Sequence, residues 1–137
     1  MRARKETQIG RHRVVVDRDT VSVHWDGPCS VEEVLLIQQI YNDCLKENAC
    51  LFSVFFVARA VPPSPEVRKI MADWRKDHTV SASAIIGASL PIRTIGSLYL
   101  RATELIGLSS WPARFFEEES AAYAFIETIR ETLKTPH

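Results

Sequence analysis

The period of the apolar and polar positions changes several times along the chain, and each change predicts an element. From Arg11 to Val16, and again from Thr20 to Trp25, the residues are β-branched or aromatic at alternate positions. Val21, Val23 and Trp25 fall on one side of the second run, and Ser22, His24 and Asp26 on the other. Period two predicts half-buried strands, and the polar turn Asp17-Arg18-Asp19 between them predicts a hairpin. Asp26-Gly27-Pro28 ends the second strand. Ser30 then stands three residues before Glu33, the spacing of a capping box. It precedes a helical stripe of Val34, Ile37, Tyr41 and Cys44 that ends near Glu47-Asn48.

Leu51 to Ala58 is apolar on both sides, as in a central strand covered on both faces. Pro62-Pro63-Ser64-Pro65 follows, with Ser64 placed as an N-cap and Pro65 as the first helical residue. Val67, Ile70, Met71 and Trp74 form the apolar face of that helix. Arg68, Lys69, Arg75 and Lys76 are assigned to its opposite, solvent face. A strand from Thr79 to Ile86 is expected to run into the turn Gly87-Ala88-Ser89. A helix from Pro91 to Ile106 comes next, then a short strand Ala113-Arg114-Phe115-Phe116. The last helix repeats Ala122, Phe125, Ile126, Ile129 and Leu133 behind the acidic trio Glu117-Glu118-Glu119, which suits a helix N-terminus.

Residues 1–10 are polar and aperiodic and are expected to be a flexible arm or a frayed strand start, leaving one domain over 11–135. Its order is β-β-α-β-α-β-α-β-α. Strands alternating with helices imply right-handed crossovers, so the class is α/β, a mixed sheet of about five strands with four helices.

That order, with three stretches of sequence, resembles the STAS fold and in particular the SpoIIAA-like group of small bacterial proteins, whose fold is similar to the lipid-binding CRAL-TRIO domain. The stretches are Pro65-Glu66-Val67-Arg68 through Asp73-Trp74, the strand end Ile86-Gly87-Ala88-Ser89, and Arg114-Phe115-Phe116-Glu117-Glu118-Glu119-Ser120-Ala121-Ala122 leading to Phe125-Ile126. The resemblance implies the fold over nearly the whole chain and a role in interaction rather than catalysis. Phosphorylated antagonists of anti-sigma factors carry an Asp-Ser pair at the start of the second helix. Here Ser64 stands alone between Pro63 and Pro65, so a phosphorylatable switch at Ser64 is an alternative that lacks its usual partner. A flavodoxin-like fold is the competing architecture. It predicts no N-terminal hairpin.

Charge narrows the partners. Lys plus Arg and Asp plus Glu number 17 each, so no global field favours nucleic acid, and the basic segment Arg2, Arg4, Lys5, Arg11, Arg13 has no interleaved aromatics. The longest apolar run falls well short of the ~20 residues of a membrane span. The first residues have no apolar stretch of the signal-peptide kind, and a cytoplasmic location is expected. Three cysteines, Cys29, Cys44 and Cys50, fit neither a disulfide framework nor a zinc ribbon.

Candidate chemistry is sparse. His24 and Asp26 share a strand face and His12 stands across the hairpin, an arrangement read as a solvated polar face. No metal or cofactor is expected, and an enzyme is the least favoured class. The stronger candidate is a ligand site where the second and third helices begin, from Ser64, Gly87, Ala88, Ser89 and Arg93. Strand C-termini in open α/β sheets are the usual ligand position, and Arg93 could pair with an anion. The third helix is apolar on more than one face. Leu98 and Leu100, with Trp111 beyond it, mark a homodimer surface or the wall of a lipid pocket. The expected function is a non-catalytic module for an unidentified protein partner or a small anionic or amphipathic ligand, with a lipid carrier as an alternative.

Overall fold

The computed structural model describes residues 4–105 and 112–134. In chain order the elements are β1 (Lys5–Ile9), β2 (His12–Asp17), β3 (Thr20–Gly27), α1 (Val31–Glu47), β4 (Phe52–Ala60), α2 (Pro65–Asp77), β5 (Ala82–Ile86), α3 (Leu90–Leu105), β6 (Ala113–Phe116) and α4 (Glu119–Lys134). The class is α/β with a mixed sheet and four helices. The sheet has six strands rather than five, in the spatial order β1-β2-β3-β4-β5-β6. The added strand lies where an arm or a frayed strand start was expected: Lys5–Ile9 pairs antiparallel with β2 from Lys5↔Val16 to Ile9↔His12. Its polar composition hid it. As an edge strand it needs only backbone pairing and one buried anchor, Ile9. From β2 onward the order matches the sequence reading.

β2 and β3 are antiparallel, and β3 to β6 are parallel. Each parallel crossover advances one strand in the same direction, so right-handed connections put α1, α2 and α3 on one face. α4 packs beneath the other face, on β5 and β6. Two cores follow. The upper one joins Val14, Val21, Val23, Ile37, Tyr41 and Leu51, with Phe55 and Trp74 packed against it. The lower one joins Phe52, Val54, Ala82, Ala84, Ala122 and Ile126.

Local signals set the boundaries. Ser30 Oγ accepts from Glu33 N–H while Glu33 Oε1 accepts from Ser30 N–H, closing the capping box of α1. Ser64 caps α2 with Pro65 at its first position. The strand expected from Thr79 starts only at Ala82, but Val80 is buried on the approach to it.

Two residues of β4, Val57 and Ala58, oppose the single residue Trp25 of β3, a β-bulge between the pairs His24↔Phe56 and Asp26↔Arg59. Gly87, at φ +79°, closes over this bulge, where a Cβ would lie 3.3 Å from Ala58 Cβ. The glycine therefore answers a close approach at the C-terminal edge of the sheet.

Candidate functional site

The site grows out of the sheet's upper surface. Parallel registry aligns Phe55, Ile85 and Phe115 as one cross-strand row. Two residues earlier, the same registry aligns Ser53, Ser83 and Ala113. A row of large side chains beside a row of small ones leaves space above the small row, because the helices pack on the taller row. A pocket of about 220 Å³ lies there, between the sheet and α1, α2 and α3.

The walls are mainly apolar. Trp25 and Val57 stand at the sheet end, Tyr41 and Ile37 come from α1, Met71 and Trp74 from α2, and Ile92 and Ile95 from α3. Gly96 keeps the α3 backbone close, since a Cβ there would lie 3.0 Å from Phe115 Cζ. The volume exceeds the ~150 Å³ of a dry cavity that accepts benzene and falls below the ~300 Å³ at the lower end of drug-sized sites. It suits an aromatic ring or a short alkyl chain.

The polar groups of the pocket come from four elements, α1, β4, β5 and α2. Tyr41 Oη and Ser53 Oγ are 2.6 Å apart and buried, and Ser83 is paired beside Ser53 in the registry. Burial pushes the Tyr41 phenol well above its ordinary range, against a smaller opposing effect of the Ser53 hydrogen bond, so it remains a neutral donor at physiological pH. On α2, Arg68, Met71 and Arg75 form a stripe of their own at i, i+3 and i+7 that lines the pocket. Arg75 is 7% exposed. Both arginines therefore leave the solvent face to which the pattern assigned them, whereas Lys69 and Lys76 stay outside on Asp73. A guanidinium on an amphipathic helix defaults to solvent in a sequence reading. The one available signal was Met71, whose position lets a second stripe run through it.

None of the five residues expected to bind ligand lies on the pocket wall, although Pro63 and Ile92 beside them do. Ser64 is exposed and its hydroxyl accepts from Val67 N–H at 3.2 Å. Ser89 caps α3 in the same way, toward Ile92 N–H at 3.4 Å. Gly87 donates its N–H to Phe116 O and serves the bulge, with Ala88 half-buried next to it. Arg93 lays its guanidinium 5.6 Å above the Phe115 ring, behind the pocket wall, with Nε buried and without a hydrogen-bond partner among the described residues. Leu98 is exposed on α3. The side chain of Leu100, and Trp111 altogether, lie outside the described residues.

Two other clusters carry polar side chains. His12, Cys29 and Glu33 bring potential metal-ligand atoms within 4.8 Å of one another. The hydrogen bonds oppose a metal there. His12 Nδ1 accepts from Asp26 N–H at 3.0 Å, so the neutral ring carries its proton on Nε2, which donates to Pro28 O at 3.2 Å. A metal on Nε2 would turn an Nδ1 proton against the Asp26 amide. Burial, with the Glu33 charge adding to it, also pushes the Cys29 thiol up to about 11. The cluster is a structural tie between the β1–β2 turn and α1. Registry also sends His12 and His24 to opposite faces, because Arg13, not His12, pairs with His24.

The second cluster is an open polar groove of about 760 Å³ under the sheet, beside α4. His24 stacks on Phe56 with ring centroids 4.1 Å apart, and its Nε2 lies 3.2 Å from Arg13. Arg4, Arg13, Arg18 and Arg130 face Asp17, Asp19, Glu119 and Glu127 across it, a balance of signs that selects no class of ligand.

No protein-family model matches this chain, and no curated protein matches it.

Proposed function

We propose that this chain is a non-catalytic, STAS-like binding module whose pocket between the sheet and α1–α3 takes a small amphipathic molecule. The observation that carries this reading is the pairing of an apolar enclosure with polar groups on its floor and on one helix stripe. Apolar walls supply affinity and a few placed polar groups supply orientation. The STAS-like assignment is supported by the element order from β2 to α4, which follows β-β-α-β-α-β-α-β-α. The pocket lies beside the third helix, as a lipid carrier requires, but its volume limits the occupant to a short or compact body. No helix among the described residues is long and apolar enough to cross a membrane. We place the chain in the cytoplasm, where an odd number of cysteines that fits no disulfide framework is at home.

The test is calorimetric titration of the chain with octanol, beside Ser83→Leu, which fills the space above the small row. Saturable binding at one site per chain, abolished by Ser83→Leu, is expected. No saturable binding, or binding that Ser83→Leu leaves intact, overturns the reading.

A further inference from the structure

The middle of the sheet is open to the pocket on one side only. On β5 the residues of the lower face, Ala82, Ala84 and Ile86, are buried, whereas Ser83 and Ile85 on the upper face are half-buried. β5 lies between β4 and β6, so that exposure is to the pocket. The polar part of the floor is three hydroxyls. Tyr41 Oη and Ser53 Oγ share a hydrogen bond of 2.6 Å, which uses one of their two hydrogens. The other hydrogen, and that of Ser83 Oγ beside Ser53 in the registry, have no partner among the described residues. No free cation among the described pocket residues stands with them. Of the two guanidinium groups in the wall, Arg75 is already engaged, and Arg68, two turns earlier on α2, belongs with Pro63 to the opposite end.

We propose that the pocket is selective for an uncharged phenol, its hydroxyl seated among Tyr41, Ser53 and Ser83 and its ring over Phe55, Ile85 and Phe115. The proposal rests on the ligand-binding reading above and names its ligand class. A hydroxyl both donates and accepts, so it can take an unused hydrogen of the floor and give its own to a floor oxygen. A hydrocarbon of the same shape would seal those hydrogens from water without a partner, the costly case for a buried donor. A carboxylate would lose its hydration and find only neutral hydroxyls, with no cation to offset its charge. A phenol avoids that cost, because its ordinary pKa of about 10 leaves it uncharged near neutral pH. The walls favour an aryl body over an alkyl one. Trp25 stands edge-on to Phe55 at 5.5 Å and Tyr41 edge-on to Trp74 at 5.7 Å, and Phe115 completes the aromatic lining. A ligand ring extends this edge-to-face packing within about 220 Å³, and it has fewer rotors to immobilise than an alkyl chain.

The test compares ligands of one size on the unaltered chain, which removes any dependence on a variant's folding. Calorimetry near neutral pH sets 4-ethylphenol beside its methyl isostere 4-ethyltoluene, the anion 4-ethylbenzoate, and octanol. The phenol is expected to bind at least tenfold more tightly than the isostere and the anion, and more tightly than octanol. Ser83→Ala keeps the small row small. It is expected to lose at least threefold of the preference for 4-ethylphenol over 4-ethyltoluene, while an unchanged affinity for 4-ethyltoluene reports that the pocket is intact. A preference that Ser83→Ala leaves unchanged contradicts the seat of the hydroxyl. Equal or tighter binding of any of the other three compounds overturns the phenol assignment and leaves the pocket reading standing. Absence of binding by all four overturns both.

Discussion

Arg130 in α4 holds Asp19 in the β2–β3 turn, Nε to Oδ2 at 3.2 Å and Nη2 to Oδ1 at 2.8 Å, across 111 positions of chain. Its guanidinium also lies 4.8 Å above the Phe52 ring, and Glu127 on the same helix pairs with it. Asp19 O in turn accepts from Phe52 N–H at 2.8 Å, so one turn residue ties β3, β4 and α4. The carboxylate partners, Asp19 before Glu127, raise the arginine further above its ordinary value. Both side chains of the Arg130–Asp19 pair are about a quarter exposed, at 23% and 25%, which reduces what the bridge contributes. Arg130→Ala is expected to cost about 1–2 kcal/mol in urea unfolding, partly through the lost contact with Phe52. A double-mutant cycle with Asp19→Asn should show coupling. Additive single effects would mean that the pair does not act as a unit.

A second prediction concerns Gly10. It sits at φ +59°, and a Cβ there would lie 1.8 Å from Glu33 Oε2. Gly10→Ala therefore strains the turn and also drives Glu33 out of its capping box. We expect about 2 kcal/mol in total, of which about 1 is the cap. In a Glu33→Ala background the same glycine change should cost roughly half as much. An undiminished cost would show that the cap survives by some other arrangement of Glu33.

Acid stability carries two signatures. Burial, then the Arg13 charge, lowers the His24 pKa below its ordinary value. The unfolded chain then takes up this proton first, so stability falls as the pH drops through about 6.5 and levels off below the folded value. The hydrogen bond from Ser30 N–H, with His12 contributing, lowers Glu33. That stability is present above about 4.3 and is lost as the pH falls toward the folded value. His24→Gln should flatten the first slope and leave the second. Urea midpoints taken across this range decide it, and a slope near 6.5 that persists in His24→Gln assigns it to another group.

The thiol of Cys29, pushed up to about 11 mainly by its burial, is expected to alkylate slowly. With iodoacetamide at about pH 8, peptide mapping should find Cys29 modified at least tenfold more slowly than a free cysteine. A rate equal to that of free cysteine contradicts the environment described.

Much of the architecture was legible because it rests on local signals. Ser30 with Glu33, Ser64 with Pro65, and the alternation of Val21, Val23 and Trp25 each specify an element without reference to the rest of the chain. The strand Lys5–Ile9 was not legible, because its stability comes from backbone pairing with β2 and its own residues carry little apolar pattern. The sequence reading placed a site at the C-terminal ends of the parallel strands, where Ser64 and Ser89 are occupied as caps. The small row beneath the pocket lies nearer the N-terminal ends of β4 and β5. The pocket itself depends on registry between distant strands, which aligns Ser53, Ser83 and Ala113, and on the rotation of α2 that turns Arg75 inward. Neither is written in any single segment.

The central claim is that the space above that small row binds an amphipathic molecule. Methyl-resolved NMR of the full chain titrated with octanol tests it most directly. The account predicts saturable shifts at Met71, Ile85, Ile92 and Ile95, which face the pocket, with Ile126 and Ile129 beneath the sheet unmoved. Shifts confined to the α4 side, or none at all, would contradict it.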